Sequence, residues 1–116
     1  MKKAILSILG IYLMSMQVVV AQNDCGDRYQ FPIFDEITVT QDVSYGSNTD
    51  AQGNMKELKF DFYEPTGDEL EKRPLIIWAH GGTFVAGDEN SGDIVELCEA
   101  FAKRGYVNAS INYRLL

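Results

Sequence analysis

Apolar and polar positions follow different rhythms along the chain. From Ala4 to Ala21 nearly every residue is apolar or small, diluted by Ser7, Gly10, Ser15 and Gln17. From Ile37 the pattern alternates: Ile37, Val39, Val43 and Tyr45 hold one parity, and Thr38, Thr40, Asp42 and Ser44 the other. A period of two predicts a half-buried strand with those four apolar residues on one face. Gly46 to Asn54 is rich in turn formers. Leu58, Phe60 and Phe62 then alternate with Lys59 and Asp61, giving a second strand that pairs with the first as an antiparallel hairpin. Pro65-Thr66-Gly67 ends it, and Asp68 to Arg73 reads as a charged surface loop.

After Pro74 the rhythm changes. Leu75-Ile76-Ile77-Trp78-Ala79 is a continuous apolar run, which suits a strand buried on both faces in a parallel sheet. His80-Gly81-Gly82 interrupts it, and a loop runs to about Asn90. Ser91 is placed as an N-cap and Asp93 suits a first turn. Ile94, Leu97, Cys98 and Phe101 are spaced as one face of a helix. Lys103 and Arg104 suit its last turn, and Gly105 the position just past it. Tyr106 to Tyr113 reads as a further strand, with Val107, Ala109, Ile111 and Tyr113 on one face. Strand, loop, helix and strand make a βαβ unit. The expected fold class is therefore α/β, an antiparallel β-hairpin leading into a parallel βαβ unit. There is no internal repeat and no low-complexity tract.

The apolar stretch at the start follows Lys2-Lys3 and ends in Val20-Ala21, small residues suited to a signal peptidase. We read residues 1–21 as a signal peptide, 22–36 as an irregular N-terminal segment and 37–116 as the folded domain. A transmembrane anchor is the rival for the first segment, but no basic cluster follows to stop transfer. Export makes the localisation secreted or periplasmic, without stable membrane anchoring after cleavage. Cys25 lies too far past Ala21 for a lipoprotein. An oxidising compartment allows a Cys25–Cys98 disulfide, worth about 4 kcal/mol through loop closure; a buried Cys98 thiol on the helix face fits equally.

Of 116 residues, 46% are hydrophobic and 23% charged, a globular balance. Losing Lys2 and Lys3 with the signal takes the net charge from −7 to −9. Such an acidic domain has no general attraction for nucleic acid or anionic membrane. The sequence holds one histidine, so chemistry needing two is excluded within it. A metal site at His80 lacks a second histidine or a nearby cysteine.

The stretch Trp78-Ala79-His80-Gly81-Gly82-Thr83-Phe84-Val85-Ala86-Gly87-Asp88 carries the candidate chemistry. Two glycines after a buried strand let the backbone turn and expose N–H groups at the carboxyl edge of a sheet, where ligands bind in open α/β folds. Such donors stabilise an oxyanion in acyl transfer. A plain turn needing positive φ explains the glycines as well. Asp88 reads as a hydrogen-bonding loop residue, and Trp78, Phe84 and Tyr113 as core or pocket wall.

His80-Gly81-Gly82-Thr83-Phe84, with Arg73-Pro74 before its strand and Gly87-Asp88 after, resembles the oxyanion loop of α/β-hydrolase esterases and lipases. Ser110-Ile111-Asn112-Tyr113-Arg114-Leu115 is similar to the fourth-strand signature of the same superfamily. The resemblance covers roughly Leu58 to Leu116, and with the export signal it points to secreted bacterial carboxylesterases. It implies an oxyanion hole built by the backbone N–H groups of Gly82 and Thr83, with His80 and Gly81 in support. Thr83 stands where the lipase-type motif carries a third glycine.

The resemblance also marks what is missing. The Gly-x-Ser-x-Gly elbow of these enzymes does not occur, and their catalytic histidine comes last in the order. Ser91 reads as a cap, Ser110 as a strand residue, and the single histidine sits in the loop. Nucleophile, acid and base are therefore absent from this chain, which reads as the incomplete N-terminal part of an α/β-hydrolase. The expected partner is a small-molecule ester, with no metal and no cofactor. A non-catalytic interaction domain of the same fold and a peptidase of that fold are the alternatives.

Overall fold

The structure, a computed structural model, describes residues 26–116. The expected signal segment and Cys25, with its proposed bridge, lie outside the described residues. Within them the elements run β1 (Ile37–Thr49), β2 (Met55–Pro65), β3 (Leu75–Ala79), α1 (Gly92–Ala102) and β4 (Val107–Ile111). They form a small mixed sheet ordered β1-β2-β4-β3 with one helix. The β1–β2 and β2–β4 pairs are antiparallel, and β3–β4 is parallel. Hairpin and βαβ unit both stand where the hydropathy pattern put them.

The hairpin turn is tighter than the run of turn formers suggested. Asp50 closes it by accepting the N–H groups of Gln52 at 3.0 Å and Asn54 at 2.8 Å, while Gly53 takes φ 84°. These side-chain bonds substitute for ladder bonds and let the strands continue to Thr49 and from Met55.

The alternation in β1 does not give one apolar face. Thr40 faces Phe62 and Val43 faces Phe60, so Gln41 and Asp42 share the place opposite Asp61. This is a β-bulge, with Asp42 at φ 58° and its N–H bonded to Asp61 Oδ1 at 2.9 Å. One extra residue turns the side chains after it to the other side, up to a second register shift between Ser44 and Gly46. Ile37 and Val39 therefore share the face of Pro65 and Tyr63, and Val43 that of Phe60.

The first of these faces meets α1. Tyr63, Ile94, Cys98 and Ala102 form its buried cluster, with Ile37, Trp78 and Val95 packed against it. The expected apolar face of β4 is not the one turned to the helix. Asn108 pairs with Tyr63 and Ser110 with Asp61, which sets two polar residues, both fully buried, on the helix side. Two of their polar atoms find partners: Trp78 Nε1 donates to Asn108 Oδ1 at 3.0 Å, and Ser110 Oγ donates to the Glu89 carbonyl at 2.7 Å, while Asn108 Nδ2 meets none among the described residues. Tyr113 lies past the end of the strand.

The opposite face is open. Tyr45, Phe60, Phe62, Leu75, Ile77 and Ile111 line an apolar trough of about 350 Å³, and Leu75 and Ile77 are 55% and 62% exposed. The expectation that β3 is buried on both faces is thus corrected among the described residues. A continuous apolar run reports what a strand can bury, and one helix covers one side.

Helix α1 begins at the expected place, but Ser91 makes no side-chain cap; its hydroxyl turns back to the Asp88 carbonyl at 3.0 Å. Its end follows the glycine signal, with Gly105 at φ 96° and the Tyr106 N–H bonded to the Phe101 carbonyl at 3.2 Å. The segment before β1 docks there. Tyr29 N–H reaches the Arg104 carbonyl, and those of Ile33 and Phe34 reach that of Lys103. Arg28 pairs with Asp68 and bonds the Gly105 carbonyl at 3.2 Å. Asp68, expected in a surface loop, has a side chain only 3% exposed. Burial pushes its carboxyl up, but the Arg28 guanidinium and the Leu70 N–H outweigh burial and hold it below its ordinary range.

Candidate active site

Ala79 and Ile111 lie side by side at the carboxyl ends of β3 and β4. The loop from His80 and the segment from Asn112 therefore leave the sheet from one edge, the edge at which open α/β sheets place their ligands. His80, 4% exposed, anchors the loop. Its Nδ1 lies 2.6 Å from the Gly81 carbonyl. A carbonyl only accepts, so Nδ1 carries a hydrogen. Its Nε2 is buried and meets no partner among the described residues.

The next turn is left-handed. Gly82, Thr83 and Phe84 take φ values of 115°, 54° and 64°. The Gly82 carbonyl accepts from Val85 N–H at 3.0 Å, Ala86 N–H at 3.3 Å and Thr83 Oγ1 at 2.8 Å. A Cβ on Gly82 would come within 1.8 Å of the Ala86 oxygen, so the close approach as well as the φ requires glycine. Thr83 and Phe84 are not glycines. Each costs about 1–2 kcal/mol in this conformation, and a β-branched residue there is a genuine outlier. The same turn leaves the N–H groups of Gly81, Gly82, Thr83 and Phe84 without an acceptor among the described residues. Four consecutive unpaired donors on an exposed, strained loop are uncommon, because backbone groups are normally paired or hydrated.

Other residues close the loop. Gly87, at φ 114°, abuts the His80 ring so closely that a Cβ would lie 2.2 Å from Nδ1. Asp88 Oδ1 accepts the Asn90 N–H at 3.0 Å, the hydrogen-bonding role expected of it. A depression of about 340 Å³ opens beside the loop, lined in part by Val85, Gly87, Asp88, Lys56, Tyr113 and Arg114; Gly82 and Thr83 do not line it.

No nucleophilic pair forms among the described residues. Ser110 and Ser91 donate their hydroxyls to the carbonyls of Glu89 and Asp88, and no group of three His, Cys, Asp or Glu side chains converges there to hold a metal. Cys98 is a wholly buried free thiol, pushed up to about 12 by burial first, then by Asp61 and Glu99. Burial, with the charge of Glu89 behind it, also raises Tyr45.

Residues 60–116 match the BD-FAE family model. The family is associated with α/β-hydrolase-like esterases. No curated protein and no solved structure matches the chain. The BD-FAE match takes in most of β2 and all of β3, the loop, α1 and β4, and leaves β1 and the docked segment 26–34 outside.

Sequence reasoning missed Tyr113 as a partner of His80 and Glu89 as a buried carboxylate, 6% exposed. The sequence pattern reads Tyr113 as a strand residue; its contact depends on the chain leaving β4 two residues earlier, at Ile111. Glu89 gave no signal, since buried and exposed carboxylates look alike in a sequence.

Proposed function

We propose that this chain carries the oxyanion-binding part of an exported serine hydrolase acting on a small-molecule carboxylic ester. The reading rests on the unpaired N–H groups at Gly82 and Thr83, held in a strained turn at the carboxyl edge of a parallel strand, within the BD-FAE match. A serine supplied from outside these 116 residues would attack the ester carbonyl carbon. The carbonyl π electrons would move onto oxygen, and the two N–H groups would stabilise that charge as it develops. The serine's proton would pass to a base likewise supplied from outside, which as its conjugate acid would return it to the alkoxide that collapse expels; water would then release the acyl group from the serine by the same sequence. Donors fixed in advance need no reorganisation during the reaction, and each is worth about 2.7–4 kcal/mol. His80 and Gly81 support the turn and exchange no proton. Export rests on Lys2-Lys3 and the apolar run to Ala21.

The test is hydrolysis of a short-chain ester by the complete gene product, with a serine-directed phosphonate as inhibitor. Turnover blocked by the phosphonate is expected, and none above buffer from residues 22–116 alone. Serine-dependent turnover by residues 22–116 would overturn the assignment of the nucleophile. Failure of the complete product on every ester would overturn the esterase reading.

A further inference from the structure

Tyr113 touches the loop at both ends of the donor run. Its phenol donates to the His80 carbonyl at 2.8 Å. Its ring stacks on the His80 imidazole, with centroids 4.3 Å apart and planes 12° from parallel. Phe84 meets it edge-on at 6.0 Å. Three residues later, the Leu116 N–H bonds the Phe84 carbonyl at 2.7 Å. One short segment after β4 therefore holds residues 80 and 84, and the unpaired N–H groups lie from Gly81 to Phe84.

The phenol bond has a consequence beyond packing. The His80 carbonyl and the Gly81 N–H belong to one peptide unit, which is planar and trans, so the two groups point in opposite directions. Fixing the carbonyl on Tyr113 turns the Gly81 N–H away from it and sets the direction in which the chain enters the left-handed turn. No other hydrogen bond among the described residues holds this peptide plane, since the Gly81 N–H has no acceptor there.

We propose that Tyr113 is a positioning residue: its hydroxyl orients the His80–Gly81 peptide and thereby the donor turn. The proposal rests on the esterase reading for its catalytic consequence, though not for the bond itself. Phenylalanine at this position keeps the ring on His80 and removes only the donor.

The experiment uses one feature of the sequence: its single histidine lies in a single His-Gly peptide. Histidine labelled with ¹³C at the carbonyl and glycine labelled with ¹⁵N give one correlation for that peptide in these 116 residues. In the complete protein, Tyr113→Phe should move the His80 carbonyl upfield as its hydrogen bond is lost. It should also lower kcat on a short-chain ester about tenfold, the equivalent of one ordinary hydrogen bond. KM should stay within about twofold, because the donors act on charge that develops in the transition state. Should Tyr113→Phe not fold, 3-fluorotyrosine in place of tyrosine strengthens the phenol as a donor and should move the carbonyl downfield. An unmoved His80 carbonyl in both proteins would overturn the proposal. A moved carbonyl with unchanged kcat would overturn the positioning role while the esterase reading stands. If the unsubstituted protein hydrolyses no ester, the proposed function falls, and the carbonyl shift alone decides whether Tyr113 orients the peptide.

Discussion

Replacing Gly82 by alanine strikes the loop at its tightest point. At φ 115° alanine lies outside the left-handed basin that Thr83 and Phe84 occupy, at a cost of about 1–3 kcal/mol. The new Cβ would also stand 1.8 Å from the Ala86 oxygen and 2.8 Å from its carbon. That carbonyl cannot easily retreat, because the next residue, Gly87, is already pressed against His80. The loop must open instead, and both backbone bonds to the Gly82 carbonyl, from Val85 and Ala86, are lost with it. Residues 81–88 are exposed, so the core is spared and the loss of stability should stay near 1–3 kcal/mol. Misdirecting one oxyanion donor lowers kcat about 10²–10³-fold. We therefore expect Gly82→Ala to fold, by circular dichroism and urea unfolding, with kcat on a short-chain ester down at least a hundredfold and KM changed far less. Thr83→Gly is the control: the N–H survives and left-handed strain is relieved, so most activity should remain. A folded Gly82→Ala protein with near wild-type kcat would place the oxyanion hole elsewhere and leave this loop as a turn.

Three further outcomes follow from the packing. Arg28→Ala leaves the buried Asp68 carboxylate without its main partner, and we expect about 3 kcal/mol of lost stability in urea melts. Since folding lowers the Asp68 pKa, the pair stabilises fully above the unfolded value of about 3.9 and loses this as pH falls through the folded value. The gap between wild type and Asp68→Asn should therefore shrink on acidification; a gap that widens would refute the pairing. Cys98, with its thiol pushed up to about 12, should resist thiol reagents in the native protein and react on unfolding under reducing conditions; rapid native labelling would contradict its burial. Ile77→Lys on the open face should change stability by no more than about 0.5 kcal/mol, yet reduce aggregation and hydrophobic-dye binding by residues 22–116, which we expect to be poorly soluble. A soluble, dye-silent 22–116 segment would show that this face is covered.

The local grammar of the chain was legible without coordinates. Alternation around Phe60, the apolar run at Leu75–Ala79, the helical spacing from Ile94 and the stop at Gly105 each depend on near neighbours in sequence. The order of hairpin and βαβ unit followed from them. The His80-Gly81-Gly82 stretch was legible as a turn, because two glycines after an apolar strand admit positive φ, but the glycines alone did not separate a donor loop from a plain turn. What the sequence could not decide was which side of each strand faces what. The bulge at Asp42 exchanges the faces of β1, and it depends on a bond to Asp61, nineteen residues away. Asn108 and Ser110 turn to the helix because pairing with β2 fixes their parity, against their polarity. The left-handed course of Thr83 and Phe84 runs against local preference, and the segment from Tyr113 to Leu116 grips its two ends. Asp68 faces inward because Arg28, forty residues before it, arrives at the end of α1. These choices are made by pairing register and long-range contact, and such energies are absent from any short window of the chain.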